Sequence, residues 1–282
     1  MNNIWAFILD HFSFVCLPYK RSLKIAMLYY YYKMLLKSLF FGNKITSEHF
    51  FTYDVVAWKY KYIFGIFKIA FFKGQYYFTT KNKTPLIIDC GANIWVTSLF
   101  FDFLYPWAEI HTFEPNPEIF GYLEKNTKKN KNIHNHQLAV SDQKWELDFY
   151  ITTNNAWDTL ASLHDSRNQI APERIQVQVV LLSEFIKNEL QGRKIDCIKF
   201  NIEWSEDRVI SDLAANNCLA YIDHMIFEYH HHLELVKWSK LASMLKDLED
   251  HWFNYTLSVT NFRLYAEDIS QNIFIHAYRT HK

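Results

Sequence analysis

The spacing of hydrophobic positions changes near residue 84. Before it, Leu23, Met27, Tyr30, Met34 and Leu35 recur at helical intervals, so the stretch 25–36 predicts an amphipathic helix. Residues 1 to about 80 are expected to be helical, ending in a short extended piece at 75–80. Polar turn chemistry at 82–85 then separates this region from a different pattern. Apolar runs at 86–88, 109–113, 136–140, 195–200 and 221–229 predict strands. Between them, 96–103, 117–129, 206–214 and 235–248 predict helices, one opening on Pro117, and Ser183 is expected to cap a shorter one. Alternation at 147–151 and 175–179 predicts further extended segments, and 255–259 with 273–278 close the chain as an antiparallel pair. Strand and helix in alternation predict an α/β fold with a doubly wound, largely parallel sheet. Two parts follow: a helical, aromatic-rich region at 1–74 and the sheet domain at 75–282.

Composition narrows the partners. The chain has 282 residues, and its 30 basic and 30 acidic side chains cancel. A nucleic-acid footprint needs a clustered basic excess, so no nucleic-acid partner is expected. With 50% hydrophobic and 18% aromatic residues the chain can bury a sizeable core. Cys16, Cys90, Cys197 and Cys218 are far apart and form no CxxC pair, which points to reduced thiols in the cytoplasm rather than a zinc site. No signal-peptide pattern opens the sequence, and Lys24, Lys33 and Lys37 interrupt the most apolar early stretch well short of the ~20 residues that span a membrane. Two alternatives stand for that helix: packing on the main domain, or a peripheral contact with a membrane surface through its lysines and tyrosines.

The chemistry concentrates after the first two strands. Asp89-Cys90-Gly91-Ala92-Asn93-Ile94 lies between a strand and a helix, where glycine lets backbone approach a ligand and the helix start offers N–H groups. Glu114, in Phe113-Glu114-Pro115-Asn116-Pro117, ends the second strand, where a carboxylate grips ribose hydroxyls. Together the two motifs point to a nucleoside-containing ligand. The chain has no GxGxxG, no GxxxxGK[ST] and no GxSxG, which weighs against dinucleotides, phosphate-cradling NTPases and nucleophile-elbow hydrolases. Adjacent residues His230, His231 and His232 point to alternate strand faces, so no metal site is expected. An unperturbed imidazole has its pKa near neutrality, which makes His230 a candidate base.

These segments, in order from about residue 75 to 251, resemble the FkbM family of S-adenosylmethionine-dependent methyltransferases. The strings that carry the resemblance are DCGANI, FEPNPEIFGYLEKNTKKN, LAVSD, IDCIKFNIEWSE and IFEYHHH. The resemblance implies a Rossmann-like class I methyltransferase fold with a seven-stranded sheet, S-adenosyl-L-methionine as cofactor, and O-methylation of a small-molecule, sugar or glycolipid hydroxyl. It implies that Asp89, Gly91 and Asn93 line the methionine end, that Glu114 holds the ribose and that Asp142 meets the adenine amino group. Asn201 and Glu203 would face the methyl donor or substrate, and Glu228 with His230 would stand near the substrate.

The sequence departs from the family at telling positions. Trp95 stands where the family has the second glycine of its first motif, Trp204 where it has the glycine after Ile202-Glu203, and Asn201 where it has aspartate. An indole buries roughly 150–250 Å², so both tryptophans would occupy ligand volume. The alternative function is therefore a catalytically inactive binding homologue with an occluded pocket. The chain has nine tryptophans but only six glycines, where average usage near 7% gives roughly 20. Trp145, before a strand, and Trp252, after a helix, also stand where positive φ is expected, and Trp107 follows Pro106 in a turn. UGA codons that mean glycine in the source genome but were translated as tryptophan would produce this pattern. UGG at codons 95, 145, 204 and 252 would exclude it.

Overall fold

The computed structural model describes residues 10–12, 14–44, 46–57, 59–94, 96–143, 145–152, 172–202, 205–231, 240–259 and 271–279. The N-terminal part begins with a long helix α1 (Arg21–Phe41). Its Met27, Tyr31 and Met34 are buried at the predicted helical spacing, with Leu23, Tyr30 and Leu35 packed beside them, but the opposite face is apolar as well, so the helix is not the amphipathic one expected. The expectation of helix throughout this region needs correction. A hairpin of β1 (Thr46–Phe50) and β2 (Tyr53–Ala57) follows, with Glu48 paired to Val55 and Phe50 to Tyr53. Its alternation of buried and exposed positions has period two, and Phe51 takes φ 51° in the tight turn. Helix α2 (Tyr60–Phe67) then runs into a π-helical turn at Lys68–Phe72. Residues 75–80 are irregular rather than a strand.

The second part contains β3 (Leu86–Cys90), α3 (Val96–Leu104), β4 (Glu109–Phe113), α4 (Pro117–Thr127) and β5 (Ile133–His136). Next come β6 (Ala139–Ser141), β7 (Trp145–Thr152), β8 (Pro172–Leu181), α5 (Leu182–Asn188) and β9 (Ile195–Phe200). The chain continues through α6 (Glu206–Ala215), β10 (Ile222–His231), α7 (Leu241–Asp250), β11 (Phe253–Val259) and β12 (Gln271–Arg279). Seven strands form one sheet in the order β11-β12-β10-β9-β3-β4-β5. The pairs from β10 to β5 are parallel, and β12 is antiparallel to both its neighbours. This is the expected largely parallel, doubly wound sheet with flanking helices.

The run predicted as one strand at 136–140 divides in two. Residues up to His136 belong to the main sheet, and Ala139–Ser141 joins β8 and β7 in a separate three-stranded sheet. Ser183 lies inside α5 and does not cap it; the N-cap is Leu181, without a side-chain hydrogen bond. The last helix begins at Leu241, and residues 232–239 lie outside the described residues.

Both faces of the central strands are covered, which is why they read as near-continuous apolar runs. Along β3, Leu86, Ile88 and Cys90 point to a core shared with α5, α6 and α7. Ile87 points the other way, into a core built with α3, α4 and the aromatic N-terminal part, including Phe67, Phe71, Phe100 and Phe101. The N-terminal region therefore completes one face of the sheet. Asn126 on α4 ties the two together, bonding Val56 of the hairpin through both its amide groups and the Ile94 carbonyl at 3.1 Å.

Candidate active site

From β3 the chain runs outward through β4 to β5, then returns to lay β9 on the other side of β3. The strand order thus reverses at β3 and β9, and doubly wound sheets hold ligands in a crevice at the carboxyl ends of the strands at such a point. The loop after β3 is shaped by that geometry. Gly91 has φ +75°, and a Cβ there would lie 2.0 Å from the Asn201 carbonyl oxygen. Only glycine fits so close an approach. Its N–H and that of Ala92 both donate to the Phe113 carbonyl at the end of β4, at 2.9 and 3.0 Å. Asn201 N donates to Cys90 O at 3.0 Å on the opposite side.

Asn93 follows with φ 52°, a conformation that asparagine tolerates better than most residues. Its N–H donates to Glu114 Oε2 at 3.0 Å, and Asn116 N donates to Oε1 at 2.9 Å. The Glu114 carboxyl is only 5% exposed. Burial pushes its pKa up to about 7, although the Asn116 and Asn93 N–H groups and the Lys199 charge pull the other way. Asn116 also caps α4, its Oδ1 accepting from Glu118 N and Ile119 N, with Pro117 next in line. The Glu114 carboxyl is thus held by the turn that starts a helix.

Asp89 lies beneath the loop. Fully buried, its Oδ1 stands 3.0 Å from Lys199 Nζ, and Ser98 Oγ donates to its Oδ2 at 2.7 Å. Lys199 Nζ also donates to the Gly91 carbonyl at 2.7 Å and lies over the Tyr76 ring, 6.0 Å from its centre. The sequence reading missed Lys199, Ser98, Tyr76 and Asn126. One signal was available: a lysine inside the buried run Ile195–Phe200 demands a charged partner, and Asp89 is the carboxylate in the facing strand.

Asn201 begins the loop after β9, and its Oδ1 is buried with no hydrogen-bond partner among the described residues; the same holds for Asn116 Nδ2. Asp142 directly follows β6. It is exposed at the end of β6, accepts from Ser141 Oγ at 3.1 Å and sits 4.0 Å from Arg208. Glu203, Trp204 and Trp95 lie outside the described residues. His230 is placed only as a backbone position near the end of β10, paired with Asn272, and Glu228 pairs with Phe274. Among the described residues no group of three or more His, Cys, Asp or Glu is placed to hold a metal ion.

The polar atoms present fit S-adenosylmethionine. Each Glu114 oxygen accepts one N–H and keeps capacity for a second bond, which suits the two hydroxyls of a ribose. The orphaned Asn201 Oδ1 awaits a donor, such as an amino group.

The tryptophan positions divide. Trp252 adopts φ +67° directly after α7, where a left-handed residue was expected, and is 79% exposed. Trp145 opens β7, in register with Val179. Trp107 is 76% exposed in its turn.

Comparison with known proteins identifies the family. The profile of the methyltransferase FkbM domain matches residues 89–255, more than half of the chain. The 2-O-methyltransferase NoeI of Sinorhizobium fredii is 23% identical over 142 residues, covering 46% of this chain and 58% of that protein. Methyltransferase 1 of Beauveria bassiana is 26% identical over 144 residues, covering 45% of this chain and 57% of that protein. The chain thus spans less than two thirds of either relative. Among solved structures, the TYW2 protein of M. jannaschii in complex with AdoMet overlays with a TM-score of 0.42 at 13% identity, covering 84% of this chain and 88% of that one; a likeness so distant carries no argument. On the profile match, which begins at Asp89 and takes in Gly91, Glu114 and Asn201, the chain belongs to the FkbM domain family of S-adenosylmethionine-dependent methyltransferases.

Proposed function

We propose that the protein transfers a methyl group from S-adenosylmethionine to a hydroxyl of a sugar, glycolipid or small natural product, in the cytoplasm and with its N-terminal region at a membrane. The observation that carries this is the half-satisfied Glu114 carboxylate, together with an Asn201 amide oxygen that has no partner among the described residues. The name of NoeI supports an oxygen acceptor. When bound, the cofactor supplies an electrophilic methyl carbon on a sulfonium.

Glu114 accepts from the ribose hydroxyls, and Asn201 accepts from the amino acid end. Asn93 and Gly91 shape the loop that encloses it, and Asp142 serves the adenine amino group. Asp89 acts through Lys199, holding the Gly91 carbonyl in place, rather than by touching the cofactor. With the cofactor bound, Glu203 or His230 would take the proton from the acceptor hydroxyl, and the site would align the two reactants. Neutral Asn201 makes no such base, since an amide cannot take the proton.

The inactive binding homologue remains the second reading, favoured by that neutral residue and by Trp95 and Trp204 in the motifs. Calorimetric titration of the full chain with S-adenosylmethionine separates the two. Binding, followed by transfer of labelled methyl to a saccharide acceptor, supports the enzyme. A folded protein that takes up no cofactor supports the homologue.

A further inference from the structure

Helix α1 is apolar on both sides. Opposite its buried Met27, Tyr31 and Met34, it exposes Ile25 (62%), Tyr29, Tyr32, Leu36 (57%), Leu39 (72%) and Phe40 (76%). The first five recur at steps of four, three, four and three residues, and Phe40 comes four after Leu36, so they form one stripe along a helix roughly 31 Å long. A helix packed on a water-soluble domain carries polar residues there, and a patch of this kind marks an interaction site. Phe12 and Val15, just before the helix, are each 67% exposed, and Lys24 Nζ bonds the Val15 carbonyl, which sets that segment against the first turns of α1.

The charge around the stripe is one-sided. From residue 11 to 47 the sequence has Lys20, Arg21, Lys24, Lys33, Lys37 and Lys44 and no aspartate or glutamate. Lys33 and Lys37 turn inward to the buried Glu48, each at 2.8 Å. Lys20 and Arg21 at one end of the stripe, and Lys44 past the other, are exposed. No described helix is long and apolar enough to cross a membrane. We propose that α1 lies in the interface of an anionic bilayer, with the Ile25–Phe40 stripe among the acyl chains and Lys20, Arg21 and Lys44 against the lipid phosphates. Tyr29 and Tyr32 suit that depth, with an apolar ring and a polar tip. This names the lipid chemistry and residues for the membrane contact proposed above and does not depend on methyl transfer.

The test is sedimentation of the full chain with vesicles of phosphatidylcholine alone and of phosphatidylcholine with about a third phosphatidylglycerol. Binding to the anionic vesicles, weakened by added salt, is expected. Changing Leu36, Leu39 and Phe40 together to serine should abolish it, with the circular dichroism spectrum unchanged. Lys20→Glu, Arg21→Glu and Lys44→Glu together should weaken binding roughly a hundredfold and leave the core-facing residues untouched. Wild-type protein that stays in the supernatant with both vesicles overturns the proposal. So does a wild-type dimer that the triple serine variant converts to monomer while vesicle binding is unaltered, because the stripe then belongs to a second copy of the chain.

Discussion

Asp89 and Lys199 face each other as register partners across β3 and β9, their charged atoms 3.0 Å apart and neither side chain more than 2% exposed. The same ammonium reaches the Gly91 carbonyl at 2.7 Å, so the pair fixes the glycine turn to the neighbouring strand. Losing one member of a buried pair leaves the other charge without compensation. Lys199→Met should therefore lower stability by about 3–5 kcal/mol in urea denaturation. Adding Asp89→Asn should recover a large part of that loss, because a neutral amide costs less to bury. A neutral Lys199→Met would show that the clamp holds nothing.

Glu114 carries opposite pH consequences for the free and the bound protein. Its pKa is raised, so the folded protein holds a proton that the unfolded chain has already lost. The stability it contributes is present below its ordinary value of 4.5 and is lost as pH rises through about 7. Ribose hydroxyls donate best to the ionised carboxylate, so cofactor affinity should rise over the upper part of that window. About tenfold weaker binding at pH 6 than at pH 8 is expected by calorimetry, because one group near 7 is mostly protonated at the lower pH. Glu114→Gln should flatten both profiles and weaken binding by roughly 1.5–3 kcal/mol. Full affinity and an unchanged pH profile in a folded variant would remove Glu114 from the site.

The sheet and the loop after β3 were legible in the sequence because each rests on local signals. Apolar runs closed by Gly, Pro and Asn gave β4 and β9 to the residue. The N-terminal hairpin was not legible. Its period-two stretch is short, lies amid aromatic residues and turns on Phe51, which carries none of the usual turn chemistry at positive φ. Lys199 and Tyr76 escaped notice for a different reason. They contribute through partners about 110 and 120 residues apart in the chain, and no periodicity reports such pairing.

Glu48 is the corresponding element of the N-terminal part. It is 4% exposed, and it accepts from Tyr60 as well as pairing with Lys33 and Lys37. Burial alone would raise its pKa, but these three partners outweigh it and leave the carboxyl at about 2. A depressed carboxylate contributes stability above its ordinary value of 4.5 that is lost as pH falls toward 2. Acid titration followed by tyrosine fluorescence should show unfolding in that window. Glu48→Gln should remove the dependence and cost roughly 1.5–3 kcal/mol near neutral pH. A variant that unfolds along the wild-type acid curve would place the controlling group elsewhere.

Trp252 offers a test of the glycine deficit that is separate from catalysis. At φ +67° and 79% exposed, its side chain gains little from packing, while the left-handed backbone costs about 1–2 kcal/mol. Glycine accepts that conformation but loses more freedom on folding, which offsets part of the gain. Trp252→Gly should raise stability by about 0.5–1 kcal/mol, an unusual direction for removing a tryptophan. Trp145→Gly, at the start of a paired strand, should do the reverse. Equal losses at both positions would argue that the tryptophans belong where they are.

Trp95 and Trp204 test the pocket itself. In the sequence, residue 95 comes four after Gly91, where a Cβ would collide with Asn201, and residue 204 comes three after Asn201. If both positions line the cofactor site, as the family motifs imply, an indole in either place competes with the ligand, so neither single change to glycine should restore binding of S-adenosylmethionine. Trp95→Gly together with Trp204→Gly should raise affinity well beyond the sum of the two single effects, since each indole alone blocks part of one ligand. Calorimetry on all three variants reads this directly. Adding Asn201→Asp then separates binding from turnover, because it returns a charge to the unpartnered Oδ1 position without changing shape. A folded double variant that takes up no cofactor would end the methyltransferase reading of this crevice and leave the inactive homologue in its place.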